Sequence, residues 1–292
     1  MGPVTVAVSG GPDSLALALA VVAVGRPGRS ITVDHGLQDG SAEQAAAAAA
    51  LIQGLGFDGT VVRVDVTGPG GPEAAARRAR YAALAEHAAG PVLLGHTMDD
   101  QAETVLLGLG RGSGPRSIAG MRAWTPPWGR PLLGVRRADT AAACADAGLK
   151  PWNDPHNADP AFTRVRLRHE VLPLLDDVLG GGVVPALART AELLADDLAG
   201  LDEVAEDAMD GALEDGALLT RVLRRRPAAV RRRVLRSWAA GAGAEPLTSE
   251  HLHRLDDLVT AGRQGAAVRL PGAIDAVLEA DRLRGRPVGR PG

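Results

Sequence analysis

The sequence is nearly without cysteine and nearly without lysine. Its one cysteine, Cys144, excludes an internal disulfide framework, a CxxC redox or zinc pair and a Cys-ligated iron–sulfur cluster. A lone thiol fits a reducing compartment. No apolar run approaches the roughly twenty residues of a transmembrane helix, so no membrane association is expected. The opening MGPVTVAVSGG has no basic stretch before its apolar run and reaches glycines too early for a secretory signal. The expected location is therefore cytoplasmic. Lys150 is the only lysine among 32 basic residues. With arginine so general, its abundance carries no nucleic-acid signal, and only clustering counts. A net charge of −3 likewise excludes a polycation.

What is present suits a globular chain. Its 292 residues are 46% hydrophobic and 23% charged, enough to bury roughly three quarters of the unfolded surface without staples. The first half alternates strand and helix patterns. Strands are expected at Val4–Ser9, Ser30–Asp34, Thr60–Val66 and Val92–Gly95. Helices are expected at Leu15–Val24, Ala42–Leu55 with Ser41 as N-cap, Glu73–Ala89 and Asp99–Leu109. That alternation means an α/β fold, a parallel sheet with helices on both faces and ligands beyond the carboxyl ends of the strands. RGSGPRSIAGM and WTPPWGRP read as loops. From about Gly180 the character changes. Residues 191–215 hold ten acids and no bases, and residues 216–240 hold eight arginines and no acids. Ala266–Leu270 and Ala273–Glu279 flank Pro271-Gly272 as a hairpin. A boundary near residue 185 separates an α/β domain, 1–185, from a smaller, mainly helical domain, 186–292.

The chemistry begins at Ser9-Gly10-Gly11-Pro12-Asp13-Ser14, between a strand and a helix. Paired glycines bring backbone N–H groups close to a ligand, and a helix N-terminus favours anions. Ser9 and Ser14 add hydroxyls. Asp13 suits phosphates bridged by Mg²⁺, and the absence of a following lysine excludes a Walker A loop.

SGGxDS at the first strand resembles the PP-loop ATP pyrophosphatases, with their adenine nucleotide alpha-hydrolase-like fold. Later motifs narrow the resemblance: Val33-Asp34-His35-Gly36-Leu37; Glu73 with Arg77, Arg80 and Tyr81; Gly95-His96-Thr97-Met98-Asp99-Asp100-Gln101-Ala102-Glu103-Thr104; Arg111-Gly112-Ser113-Gly114; Trp152-Asn153-Asp154-Pro155-His156-Asn157; and Phe162-Thr163-Arg164 with Arg166 and Arg168. In that order they resemble the bacterial tRNA(Ile)-lysidine synthetases, strongly over about residues 3–175 and more weakly to 285. Three positions depart from the family pattern. Gln38 stands where an arginine is usual, Val165 where asparagine is common, and Ser117 where glycine is expected.

The resemblance implies a C–N ligase. ATP adenylates O2 of the wobble cytidine in the CAU anticodon of an isoleucine tRNA, releasing pyrophosphate. The ε-amine of free L-lysine then displaces AMP from C2, giving lysidine. Under this reading Ser9–Ser14 bind ATP, and Asp13 holds Mg²⁺. Asp34 is placed to meet adenosine, metal or lysine. Asp99, Asp100 and Glu103 open one helix, with Asp99 and Glu103 sharing a face at i, i+4, placed to hold Mg²⁺ or the lysine ammonium. His96 is a base or an adenine contact. Arg111, in a Gly-rich loop, faces the α-phosphate or the tRNA backbone. Arg224, Arg225, Arg231 and Arg232 bind tRNA phosphates, or else such arginines pair with the acidic 191–215 stretch. Dimerisation is left open. The rivals are another PP-loop enzyme acting on tRNA, such as a thiolase, a small-metabolite ligase of the same loop class, and a non-enzymatic tRNA-binding protein.

Overall fold

The computed structural model describes residues 4–26, 28–69, 71–112 and 114–288. The side chain of Glu73 and residue Ser113, both in the motifs above, lie outside the described residues. Contacts divide the chain into two units, Met1–Ala195 and Asp196–Gly292. The division falls inside a helix, further along the chain than the boundary read near residue 185.

In the first unit, β1 (Thr5–Ala7), β2 (Arg29–Asp34), β3 (Asp58–Arg63) and β4 (Val92–Leu93) alternate with α1 (Pro12–Ala23), α2 (Ser41–Gly54), α3 (Gly71–His87) and α4 (Met98–Arg111). A short helix α5 (Pro115–Ile118) precedes β5 (Trp124–Thr125) and β6 (Trp128–Gly129). The sheet order is β3-β2-β1-β4-β6-β5, parallel except for β5. The segment WTPPWGRP is therefore not merely a loop, because it supplies two short strands at the sheet edge. Side chains alternate across a strand. Val6 and Val8 of the first strand region pack with Leu15, Leu17, Ile52 and Cys144. Ile31, Leu84, Val92 and Leu94 form a second core with Tyr81 and Trp128. Both faces are thus covered, as a parallel sheet requires. Ser41 is the first residue of α2 rather than its cap. Gly40, at φ 78°, takes the cap position because the turn needs a left-handed residue there.

Beyond β6 come α6 (Arg137–Asp146), α7 (Thr163–Arg166), a wide turn Leu167–Val171, α8 (Leu172–Val178) and α9 (Val183–Asp210). The second unit adds β7 (Leu213–Glu214), β8 (Ala217–Leu219), α10 (Thr220–Leu223), α11 (Ala228–Gly241), α12 (Ser249–Ala261), β9 (Ala267–Leu270), β10 (Ile274–Glu279) and β11 (Arg282–Pro287). Its strands pair antiparallel in the order β7-β8-β11-β10-β9, of which the expected hairpin is only one edge. Leu218, Leu223, Leu235, Trp238, Leu255, Leu278 and Leu283 fill the core between sheet and helices. Pro227 caps α11 and so divides the arginine segment. Among the described residues no single helix is long and apolar enough to cross a membrane.

Candidate active site

The turn after β1 is built by its glycines. Gly10 has φ 82°, a left-handed value that L side chains rarely adopt, and a Cβ there would come 3.2 Å from the Ala48 Cβ. Pro12 occupies the first turn of α1, where its missing N–H costs nothing. The Ser14 hydroxyl donates to the Gly11 carbonyl (2.9 Å) and accepts from the Ser9 amide (3.2 Å), which closes the loop on itself. Across from it, a Cβ at Gly95 would meet the Asp13 carbonyl carbon at 2.9 Å, so only glycine lets the end of β4 approach this turn.

The loop forms one wall of a cleft of about 840 Å³ beyond the carboxyl ends of β1, β2 and β4. Asp34, His35, Arg80, His96, Asp100, Arg137 and Arg168 also line it. The segment Trp152–Ala158 closes another side. The Trp152 amide donates to the Gly10 carbonyl at 2.9 Å. Gln38, the residue in place of the usual arginine, donates to Asp154 Oδ1 (3.1 Å) and meets His156 Nδ1 at 2.7 Å. It therefore ties the DHGL turn to the same segment.

The electrostatics centre on a residue that the motifs did not single out. Arg137 opens α6 and reaches three carboxylates: Asp13 through Nε (3.3 Å), Asp100 through Nη2 (2.5 Å) and Glu103 through Nη1 (3.4 Å). Arg168 Nε binds Glu103 at 2.9 Å, and Arg164 lies 3.5 Å from its other oxygen. Glu103 itself is fully buried. Asp13 is further held by the Thr140 hydroxyl. Burial raises the Asp13 carboxyl above its usual range, outweighing Thr140 and Arg137. Burial also acts to raise Asp100, but Arg137 and the Thr97 amide overcome it and hold that carboxyl low. The same three acids raise the Arg137 guanidinium against the opposing effect of burial.

Asp99 does not join this group. Its carboxylate takes Arg136 and the Arg137 amide (2.8 Å), and it is absent from the cleft lining. The i, i+4 pairing expected for Asp99 and Glu103 is replaced by Asp100 with Glu103, bridged by Arg137. Asp34 lies buried at the end of β2, bound by the Gly36 amide (2.9 Å) and Arg63 (2.8 Å). Burial opposes its ionisation, but Gly36, Ser41 and Arg63 prevail and lower its pKa. On the opposite wall, the Nδ1 atoms of His35 and His96 and Nε of Arg80 are buried without hydrogen-bond partners. Burial, then the nearby Arg80 charge, pushes His96 down to about 3. A ring held neutral that far down is a hydrogen-bonding group and a poor proton acceptor near neutral pH.

Arg111 is the last residue of α4, not part of the following loop, and it does not line the cleft. Val165 is buried where the family often has asparagine, and Ser117 donates to the Gly114 carbonyl (2.8 Å) inside α5. The sequence did carry a signal for Arg137. An arginine in the first turn of a helix opposes the helix dipole, and so needs acids nearby.

In the second unit, Arg231 and Arg232 converge on Asp256 of α12, Arg232 at 2.9 Å. Arg231 is only 12% exposed and Arg232 40%. Arg224 Nε donates to the Val259 carbonyl at 2.7 Å, and Arg225 is exposed. Arg233 pairs with Asp202 at 2.8 Å, so the acidic stretch does receive one arginine of the segment.

Residues 2–175 match a PP-loop domain family, and residues 218–284 match a TilS substrate binding domain family. The tRNA(Ile)-lysidine synthase of Nocardia farcinica is 57% identical over 97% of this chain and 90% of its own length. That of Mycobacterium tuberculosis is 56% identical over 96% of this chain and 86% of its own. Among solved structures, the U34-tRNA thiolase NcsA from Methanococcus maripaludis with its 4Fe-4S cluster shares the fold at a TM-score of 0.54, with 19% identity over 66% of this chain and 72% of that one. No cluster ligand set exists here, since the single thiol, Cys144, is buried with its Sγ on the Pro12 carbonyl. A phosphate-type loop, a cleft lined by carboxylates and arginines, and near-complete alignment at this identity agree: the chain belongs to the tRNA(Ile)-lysidine synthase family.

Proposed function

We propose that this enzyme joins the ε-amine of free L-lysine to C2 of the wobble cytidine in the CAU anticodon of an isoleucine tRNA. ATP use follows from the PP-loop family. Cytidine O2 attacks the α-phosphorus and pyrophosphate leaves. The lysine amine, having lost a proton, attacks C2. The C2–O2 bond breaks, AMP departs with that oxygen, and the second amine proton goes to a base or water. A tRNA substrate supports a cytoplasmic location.

The observation that carries the reading is one cleft that joins the Ser9–Ser14 turn to carboxylates at or after the ends of β1, β2 and β4 and to arginines from α3, α6 and the Leu167–Val171 turn. The turn offers backbone amides and the Ser9 and Ser14 hydroxyls to the triphosphate. Among the described residues no three His, Cys, Asp or Glu side chains gather as a resident metal site. Mg²⁺ would come with ATP as part of the substrate, and Asp13 is the loop carboxylate that would hold it. There it would supply charge neutralisation for the departing pyrophosphate. Arg137 and Arg168, both lining the cleft, are placed to do the same for the α-phosphate. Glu103 is surrounded by arginines and Asp99 is held by Arg136. Asp34 and Asp100 line the cleft together with Asp13 and Asp154. Although Arg63 already binds Asp34 and Arg137 binds Asp100, these two are the carboxylates away from the loop's centre that a lysine ammonium would share. Phosphates of the tRNA backbone fall to the arginines of 224–232, chiefly Arg225 and the half-exposed Arg232.

Incubation with ATP, unmodified tRNA(Ile) and labelled lysine tests this reading. Label in RNA, dependent on ATP and accompanied by pyrophosphate, is expected. Pyrophosphate release that leaves the tRNA free of lysine would overturn it.

A further inference from the structure

We propose that Arg137 keeps a divalent cation off Asp13 until that cation arrives on a triphosphate, so that the loop accepts metal and nucleotide only together. This rests on the MgATP reading and goes beyond it, because it names the residue that couples the two ligands.

The argument starts from what Asp13 is bonded to. One oxygen accepts from Arg137 Nε at 3.3 Å and the other from the Thr140 hydroxyl. A cation at Asp13 must therefore displace or crowd a charged, hydrogen-bonded group, and do so beside the two further acids that same guanidinium holds, Asp100 and Glu103. The charge balance points the same way. Asp13, Asp100 and Glu103 are matched by Arg137, Arg164 and Arg168, so the cluster is neutral. A bare Mg²⁺ gains little from a neutral cluster and is repelled by the arginine it would displace. MgATP differs. Its phosphate oxygens give the released guanidinium new acceptors, bidentate if the geometry allows.

The surroundings permit the exchange. The Arg137 backbone amide is fixed on Asp99 at 2.8 Å, while the side chain is 23% exposed and lines the cleft. Its place in the first turn of α6 sets it against the helix dipole, so the acids alone hold it there. A negative phosphate entering the cleft changes that balance directly. Arg137 is thus a positioning residue, and the metal is its competitor.

Electron paramagnetic resonance of Mn²⁺, titrated into the full chain with and without a non-hydrolysable ATP analogue, provides the test. For the wild type, Mn²⁺ alone should stay as the free aqua ion at concentrations where Mn²⁺ plus analogue is bound. Arg137→Met should bind Mn²⁺ alone at least about tenfold more tightly, since one positive charge within a few ångströms has been removed. Arg137→Lys, which keeps the charge, should behave as the wild type. Asp13→Asn added to Arg137→Met should abolish the gained binding. The proposal is overturned if the wild type binds Mn²⁺ equally well with and without the analogue. It is also overturned if folded Arg137→Met, checked by circular dichroism, binds Mn²⁺ no better than the wild type. The wild-type comparison decides even where the variant does not fold. Failure of the wild type to bind Mn²⁺ with the analogue would instead remove the MgATP reading and this inference with it.

Discussion

His96 gives a stability that depends on pH in a window where few other groups titrate. Its ring is held neutral down to about 3, against an ordinary value of 6.5, by burial and by the Arg80 charge. The unfolded chain therefore takes up a proton below pH 6.5 that the folded chain refuses. The unfolded state binds more protons in that interval, so stability falls as pH falls. Between pH 7.5 and pH 5.0 the loss from this one ring is about 2 kcal/mol, from roughly 1.4 kcal/mol per pH unit below 6.5. For a chain of this size that is about 4–8 °C in Tm. His96→Gln removes the titrating ring and should flatten the acid limb by that amount. Urea melts of both proteins at pH 7.5, 6.5, 5.5 and 5.0 measure it.

Other shifted groups bear on the interpretation. His35 is also lowered, by burial and then Arg80, so the variant retains some acid slope. Asp34, Asp99, Asp100 and Asp256 are all lowered carboxyls, whose contributions are lost only as pH falls below their ordinary 3.8. They leave the interval above pH 5 to the histidines and to Asp13, whose carboxyl is raised by burial and contributes with the opposite sign. Parallel melting curves for wild type and His96→Gln would refute the reasoning, because they would mean the ring is hydrated and titrates normally. The same neutrality bears on catalysis. If His96 contacts a base and does not carry a proton, His96→Gln should raise KM for ATP or tRNA and leave the pH limbs of kcat in place.

Asp13→Asn should abolish pyrophosphate release and yet raise the melting temperature at neutral pH. The folded carboxyl is raised by burial, so its ionisation costs stability as pH climbs above 3.8; a lower Tm with pyrophosphate release intact would contradict this. Glu103→Ala leaves Arg137, Arg164 and Arg168 without their shared buried partner and should cost about 3 kcal/mol, the low end for a broken buried pair because these arginines are partly exposed. Chemical denaturation showing a loss under about 1 kcal/mol would count against the network. Arg225→Ala/Arg232→Ala should weaken tRNA binding and flatten its log–log salt slope by roughly two units, whereas Arg231→Ala should mainly lower the melting temperature. A salt series that shows the larger slope change in Arg231→Ala would reverse that division.

The parts of the site legible in the sequence are those set by local backbone geometry. Gly10 at positive φ, Pro12 in the first turn of α1 and acids in the first turn of α4 each leave a signature within a few residues. The strand–helix alternation did the same for the parallel sheet. What was hidden depends on distant pairing. The paired prolines Pro126 and Pro127 between them obscure β5 and β6, and in the second unit β7, β8 and the arginine-rich β11 are too short or too polar to show a period of two. Asp99 and Asp100 illustrate the limit most sharply. Helical spacing pairs Asp99 with Glu103, but Thr97 captures one oxygen of Asp100 in a capping box and turns the other toward Arg137.

The arginines complete the argument. Arg137, Arg164 and Arg168 reach Glu103 across 34, 61 and 65 residues of sequence, which no local pattern reveals. The motif containing Arg164 and Arg168 was visible, yet its reason was not. A fully buried glutamate needs matching charge, and only cations from α6 and from Thr163–Val171 can supply it once the fold brings them over α4. Asp13 has the opposite problem. Exposed enough to meet a ligand and buried enough to resist ionisation, it is stabilised as a carboxylate by Arg137 in the structure and, under the proposal above, by a metal bound to phosphate. The alternation of those two at one carboxylate explains why a loop built for anions carries an acid at its centre.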